Sequence, residues 1–253
     1  MKKTGRKALL KEHSPENIAR RLAQKPESQK VSDFVLGAID GCITTFAIVS
    51  GAFGAGFSPL VILVMGFANL LADGFSMAVS NYEAVDAQRK HLEAARRTEE
   101  RHIKLVPEGE REEVRQIFAS KGFSGATLEK IVTTITANRK LWVETMLAEE
   151  YGLSLERFSP VTSALVTFAA FVAAGTLPLL PFVLPGLALP TQFVASGILA
   201  GLIFFAIGML KGLVYSQQLL RSGVTTFLMG SAAAALAFLV GYLLRLLFGG
   251  EIS

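Results

Sequence analysis

Two carboxylates and a thioether placed inside apolar stretches are the residues of this chain best suited to chemistry: Asp40, Asp73 and Met77. A charged side chain at bilayer depth costs roughly 2.5–3.5 kcal/mol on insertion scales, so a chain that keeps one has a use for it. Carboxylate oxygen is a hard ligand and thioether sulfur a soft one. That mixture suits a first-row transition metal better than Mg²⁺ or Ca²⁺, which take oxygen alone. The residues point to a membrane protein that handles a divalent metal.

Spacing groups these residues into stripes. Asp33, Gly37, Asp40, Gly41 and Thr44 fall at i, i+4, i+7, i+8 and i+11, one face of a helix. Asp40 then lies about 10 Å along the axis from Asp33 at 1.5 Å per residue. On the next apolar stretch Asn69, Asp73 and Met77 follow at i, i+4 and i+8, with Ser80 and Asn81 a turn further. Asp33 reads either as a ligand at a mouth or as an interfacial charge or helix cap. Met77 taken alone reads as core filler, and its place on the Asp73 stripe gives it the second reading.

A polar constellation lies further along. Glu99 and His102 are spaced i, i+3, and Glu110 and Glu113 repeat that spacing. Met146 with Glu149 and Glu150 follows i, i+3, i+4. Helices presenting these groups could enclose metal with carboxylate, imidazole and thioether ligands; a solvated acidic face is the plainer reading of spacing alone. Glu99-x-x-His102 is also the half-motif of di-iron carboxylate bundles, but no second Glu-x-x-His accompanies it. With no H-E-x-x-H, G-x-S-x-G or phosphate-binding glycine loop either, the motifs do not indicate an enzyme.

The elements that must position these groups follow from charge distribution. Of 253 residues 51% are hydrophobic and 18% charged, and the charges gather in residues 1–33 and 83–157. The pattern predicts an all-α membrane protein with five transmembrane helices and a cytoplasmic three-helix domain, a candidate metal-binding domain, inserted between helices 2 and 3. The expected parts are a basic N-terminal segment at 1–32, helices 1 and 2 in 33–82, the helical insert at 83–157, and helices 3–5 in 158–253. The second helix is expected to run on into the charged stretch Tyr82–Ile103. Pro107 opens another helix, and Thr127–Tyr151 reads as a third amphipathic one ended by Gly152. Lys and Arg fall in 1–32, 83–157 and the link Lys211–Arg221, which puts the N-terminus in the cytoplasm and the C-terminus outside it or in a lumen. The first apolar run begins too late and is too long for a cleavable signal. The net charge of +4 flanks apolar spans and forms no nucleic-acid stripe. Cys42 is the sole cysteine, so no intramolecular disulfide forms. Lys211 either snorkels or neutralises a carboxylate. Gly37/Gly41, Gly197/Gly201 and Gly208/Gly212 have the spacing of close helix packing.

The run Asp33-Phe-Val-Leu-Gly-Ala-Ile-Asp40-Gly41, the block Asn69-Leu-Leu-Ala-Asp-Gly-Phe-Ser-Met77 with Ser80-Asn-Tyr82, and the charged insert resemble the vacuolar iron transporter family over about residues 30–248. The resemblance implies a five-span homodimer moving Fe²⁺, in some members Mn²⁺, out of the cytoplasm in exchange for protons. It implies no permanently bound cofactor, with the metal as cargo. By position, Asp40 and Met77 match the family's intramembrane metal ligands and Asp33 an entrance carboxylate. Glu99, Glu110, Glu113, Met146 and Glu150 match the ligands of its cytoplasmic domain. Two departures stand out. Asn69 takes a place where eukaryotic members carry glutamate, with Asp73 one turn along to supply the charge, and His102 stands where a carboxylate is usual. The long second helix without the plant or yeast extensions looks more like a bacterial relative, which implies a bacterial inner membrane and otherwise a vacuolar one. A membrane-anchored iron-binding or ferroxidase protein without transport is the competing expectation.

Overall fold

The computed structural model describes residues 9–23, 28–156, 158–215 and 217–248. Lys2, Lys3, Arg6 and Lys7 of the basic N-terminal segment lie outside them. Every regular element among the described residues is helical: α1 (Pro15–Ala23), α2 (Ser28–Ala55), α3 (Pro59–Leu105), α4 (Pro107–Ser120), α5 (Gly125–Thr136), α6 (Arg139–Glu149), α7 (Pro160–Thr176), a 3₁₀ turn at Leu177–Leu179, α8 (Leu180–Val183), α9 (Leu189–Val214) and α10 (Leu219–Phe248). Five segments are long and apolar enough to cross a membrane: α2, the first part of α3, α7 with its short continuation to Val183, α9 and α10. The chain is a multi-pass membrane protein.

Local chemistry sets the helix ends. After α2 the Gly56 amide donates to the Phe53 carbonyl and the Phe57 amide to that of Ala52, both at 3.0 Å. This paired closure needs a left-handed residue, and Gly56 has φ +82°. Pro59 opens α3, where its missing N–H costs nothing. No breaker interrupts the next 47 residues, about 70 Å of helix, more than twice what a ~30 Å hydrocarbon layer accommodates. The expected continuation of the second span into charged sequence is therefore present. The expected single helix over Thr127–Tyr151 is not. It divides into α5 and α6 at Asn138, whose side-chain oxygen accepts from the Lys140 and Leu141 amides at 3.1 Å each and so starts a new helix. The Pro-rich link also differs from a plain loop, since Leu177–Val183 is largely helical.

The fold divides into two compact units, one formed by the chain up to Ala72 and from Ala169 onward, the other by Asp73–Phe168. In the first, α2, α9 and α10 pack by glycine. A Cβ on Gly241 would lie 2.0 Å from the Gly51 carbonyl oxygen, one on Gly41 2.3 Å from that of Phe171, and one on Gly54 2.5 Å from that of Phe238. Helices in lipid gain little from excluding water, so backbone approach of this kind supplies the attraction. Phe53 and Phe193 stack between these crossings with centroids 4.0 Å apart. In the second unit, Leu92 and Ile103 of α3, Val114 of α4, Val132 of α5 and Trp142 and Leu147 of α6 form a buried core. Asn81 Nδ2 of α3 donates to Thr167 Oγ1 of α7 at 2.7 Å.

Replacing Gly241 by Leu should lower the unfolding temperature in detergent by about 3–10 °C, the range for an overpacked core costing roughly 1–3 kcal/mol. Ala235→Val, at an exposed position of the same helix, should move it by less than about 2 °C. Equal shifts in differential scanning fluorimetry would remove the packing role assigned to Gly241.

Candidate metal centre

The polar half of α3 supplies Glu99 and His102. Pro107 then turns the chain into α4, which brings Glu110 and Glu113 back. Val106 N donates to the His102 carbonyl at 2.8 Å, and Gly109 N and Glu110 N both donate to the Val106 carbonyl. The corner is short because proline can occupy the first turn of a helix without losing a bond. Ligand atoms of Glu99, His102 and Glu110 all lie within 4.8 Å of one another. Two ligands opposite each other on an ion with bonds of about 2.1 Å are about 4.2 Å apart, so small side-chain rotations bring this trio to coordinating distance. His102 Nδ1 stands 3.3 Å from Glu110 Oε1.

Glu99 is wholly buried and neither of its oxygens has a hydrogen-bond partner; Glu110 Oε2 is buried in the same condition. Buried carboxylates are ordinarily satisfied by donors or cations, since an unpaired one forfeits its hydration. Burial pushes the Glu99 carboxyl up to about 8, and the neighbouring Glu110, then Glu150 and Glu113, add to the rise. Partial loss of hydration raises the Glu113 carboxyl, with the Glu110 charge adding and His102 opposing. Glu150 is raised the same way, by desolvation first and then by Glu113 and Glu110. Five predicted ligands on three helices thus share one electrostatic site: Glu99, His102, Glu110, Glu113 and Glu150. Met146, one turn before Glu150 on α6, is fully buried in the core of this unit.

Tyr151 was not among the predicted residues. Its phenol is raised by burial and then by Glu150, Glu99, Glu110 and Glu113, which places it within reach of the same charges. Its position just past the end of α6 next to Glu150 was the available signal. Among the described residues the Lys and Arg ion pairs of this unit involve other acids, such as Asp86 with Lys90 and Arg89 (2.6 Å each) and Glu129 with Arg115 (2.8 Å). Raised or unpaired carboxyl groups beside an imidazole are groups of the type that could hold a divalent metal.

The membrane residues are placed as follows. Asp33 is buried on α2 and accepts a hydrogen bond from Gln29 Nε2 at 2.9 Å. Asp40 is half-buried on the same helix, and its backbone carbonyl accepts from Thr44 Oγ1 at 2.8 Å. On α3, Asn69 and Met77 are half-buried and Asp73 is exposed. The Asn69 Nδ2 is buried with no acceptor.

An all-helical chain with five segments long and apolar enough to cross a membrane, and with a partly buried carboxylate–imidazole cluster on its polar helices, belongs to the class of polytopic membrane proteins. Comparison with known proteins makes this specific. The sequence model of the VIT family matches residues 31–242, and the chain belongs to that family. It is similar to a vacuolar iron transporter of Toxoplasma gondii, 37% identical over 159 residues, covering 62% of this chain and 53% of the relative. A vacuolar iron transporter of Plasmodium berghei is 30% identical over 228 residues, 87% of this chain and 84% of the relative. Vacuolar iron transporter 1 of Arabidopsis thaliana is 32% identical over 157 residues, 61% and 62% respectively. The match thus spans about half the length of the Toxoplasma protein. These relatives are named transporters, and the chain is not an enzyme.

The raised Glu99 carboxyl has a thermodynamic consequence. A carboxyl whose folded pKa lies above its unfolded value favours the fold below the unfolded pKa, and that contribution is lost as pH rises toward the folded value of about 8. Glu99→Gln should therefore raise the unfolding temperature of metal-free protein at pH 8 by about 3–8 °C, the equivalent of roughly 2 kcal/mol, and change it little at pH 4. A variant less stable than the parent at pH 8 would refute the electrostatic account of this site.

Proposed function

We propose that this chain exports Fe²⁺ from the cytoplasm across a membrane in exchange for protons, with Mn²⁺ as an alternative cargo. The observation that carries the reading is the trio Glu99, His102 and Glu110, in which both Glu99 oxygens and Glu110 Oε2 are buried without a hydrogen-bond partner, in a chain of the VIT family. Relatives in that family carry names of iron transporters, which favours iron as the cargo.

The helical insert would face the cytoplasm and capture metal through Glu99, His102, Glu110, Glu113, Met146 and Glu150. Carboxylates must be deprotonated to bind a cation, so loading releases protons, and a Glu99 carboxyl pushed up to about 8 makes that exchange responsive over the cellular range. Within the bilayer Asp40 would act as ligand and proton carrier and Met77 as a soft ligand that disfavours Mg²⁺. Asp33 and Asp73 would relay the cation on either side of this step. The burial of Asp33 inside a span supports this division, because an acid kept out of water there is costly without a use. His102, an imidazole among acids, moves the capture site toward borderline metals. The reading includes a homodimer, an N-terminus in the cytoplasm and a C-terminus on the other side of either a bacterial inner membrane or a vacuolar membrane.

In proteoliposomes with an imposed pH gradient, the parent should move Fe²⁺ and acidify the compartment that it leaves. Asp40→Ala and Met77→Ala should each cut the initial rate at least about tenfold, and Glu99→Gln should weaken Fe²⁺ binding about 10–100-fold. Parent-like flux in Asp40→Ala and Met77→Ala would end the roles given to those residues. Flux independent of the gradient would end the exchange mechanism.

A further inference from the structure

The corner joining α9 to α10 holds a recess of about 460 Å³ lined by Lys211, Gln217, Gln218, Arg221, Ser222 and Thr225. Its lining offers two cations, two amides and two hydroxyls, and no carboxylate. Among the described residues neither Lys211 nor Arg221 makes an ion pair, although carboxylates elsewhere in the chain capture nearby bases. Lys211 is half-buried, so part of its stem is withdrawn from water while its ammonium remains unmatched.

The corner is fixed in shape. A Cβ on Gly208 would sit 2.8 Å from Gly223 Cα, and one on Gly212 3.2 Å from both Leu219 Cα and Ser222 Cβ. The two helices meet here backbone to backbone. Gln217 N donates to the Gly212 carbonyl at 2.9 Å and Tyr215 N to that of Lys211 at 3.0 Å, which folds the link back against the end of α9. The Tyr215 hydroxyl, 3.2 Å from Ser32 Oγ, ties the same link to α2. Arg221 and Ser222 lie in the first turn of α10, where amide groups without helical acceptors favour anions.

We propose that this recess binds a phosphate-bearing anion, either the headgroup of an anionic membrane lipid or free phosphate. Two unpaired cations, one guanidinium able to bond two oxygens at once, and surrounding neutral donors match a phosphate's charge and its several acceptors. The recess joins two membrane spans, so it lies where headgroups are, and basic pockets between spans are a recurrent form of lipid recognition. It is separate from the metal cluster and does not rest on the transport reading.

Full-length protein in mild detergent, titrated with phosphatidylglycerol and followed by native mass spectrometry, tests this. The parent should retain one phosphatidylglycerol. Lys211→Gln or Arg221→Gln should weaken its binding roughly fivefold, and the double variant about thirtyfold. The charge-preserving pair Lys211→Arg with Arg221→Lys should restore most of it, which separates binding from folding. Lys140→Gln, an exposed base outside the recess, should leave retention unchanged. A parallel titration with inorganic phosphate identifies the source. Thermal stabilisation by phosphate in the parent and not in the double variant marks a soluble anion, and lipid retention without that response marks the headgroup. Parent-like lipid retention in the double variant, with no phosphate effect that the two cations control, overturns the site.

Discussion

Backbone contact at glycine holds the membrane part of this chain together, because hydrocarbon gives two apolar helices little reason to prefer each other over lipid. Gly41, Gly54, Gly208 and Gly241 let carbonyls and α-carbons of neighbouring helices meet at distances that no side chain would allow. The stacked Phe53 and Phe193 fill the space that remains. Polar groups on these helices then have fixed places. Asp33 and Asp40 on α2, and Lys211 and Arg221 at the α9–α10 corner, sit on a scaffold set by main-chain shape rather than by their own interactions.

The Asp73–Phe168 unit works by the opposite logic. It has an ordinary aqueous core, with Trp142, Val143 and Leu147 of α6 against Val132 of α5 and Val114 of α4. That core is strong enough to hold Glu99 buried among other acids without a donor. The electrostatic conflict at Glu99, Glu110, Glu113 and Glu150 is local and is relieved by protons or by a divalent cation. A site that must take up metal and later release it benefits from that balance, since a fully hydrogen-bonded carboxylate would have less to gain from the ion.

Much of this was legible in one dimension. The five spans were visible from apolar length, the unbroken α3 from the lack of any breaker after Val79, and the α4 start from Pro107. The spacing of Glu99 with His102 and of Glu110 with Glu113 nominated the cluster. The division of Thr127–Tyr151 at Asn138 was missed, because the apolar periodicity continues across it while a single side-chain cap starts a new helix. Spacing alone made a solvated acidic face the plainer reading of these residues. Periodicity states which groups share a face of one helix, but not whether faces from two helices converge away from water.

The sequence by itself determined the helical class and the number of spans and nominated candidate metal ligands, since these depend on composition and on the short-range periods of the helix. Only the tertiary structure decided that Glu99 is buried with no donor, that Tyr151 lies among the same charges, and that Lys211 faces a recess lined by Arg221 and neutral donors rather than a carboxylate. Burial and pairing depend on residues distant along the chain being brought together, and local pattern carries no record of which of them meet.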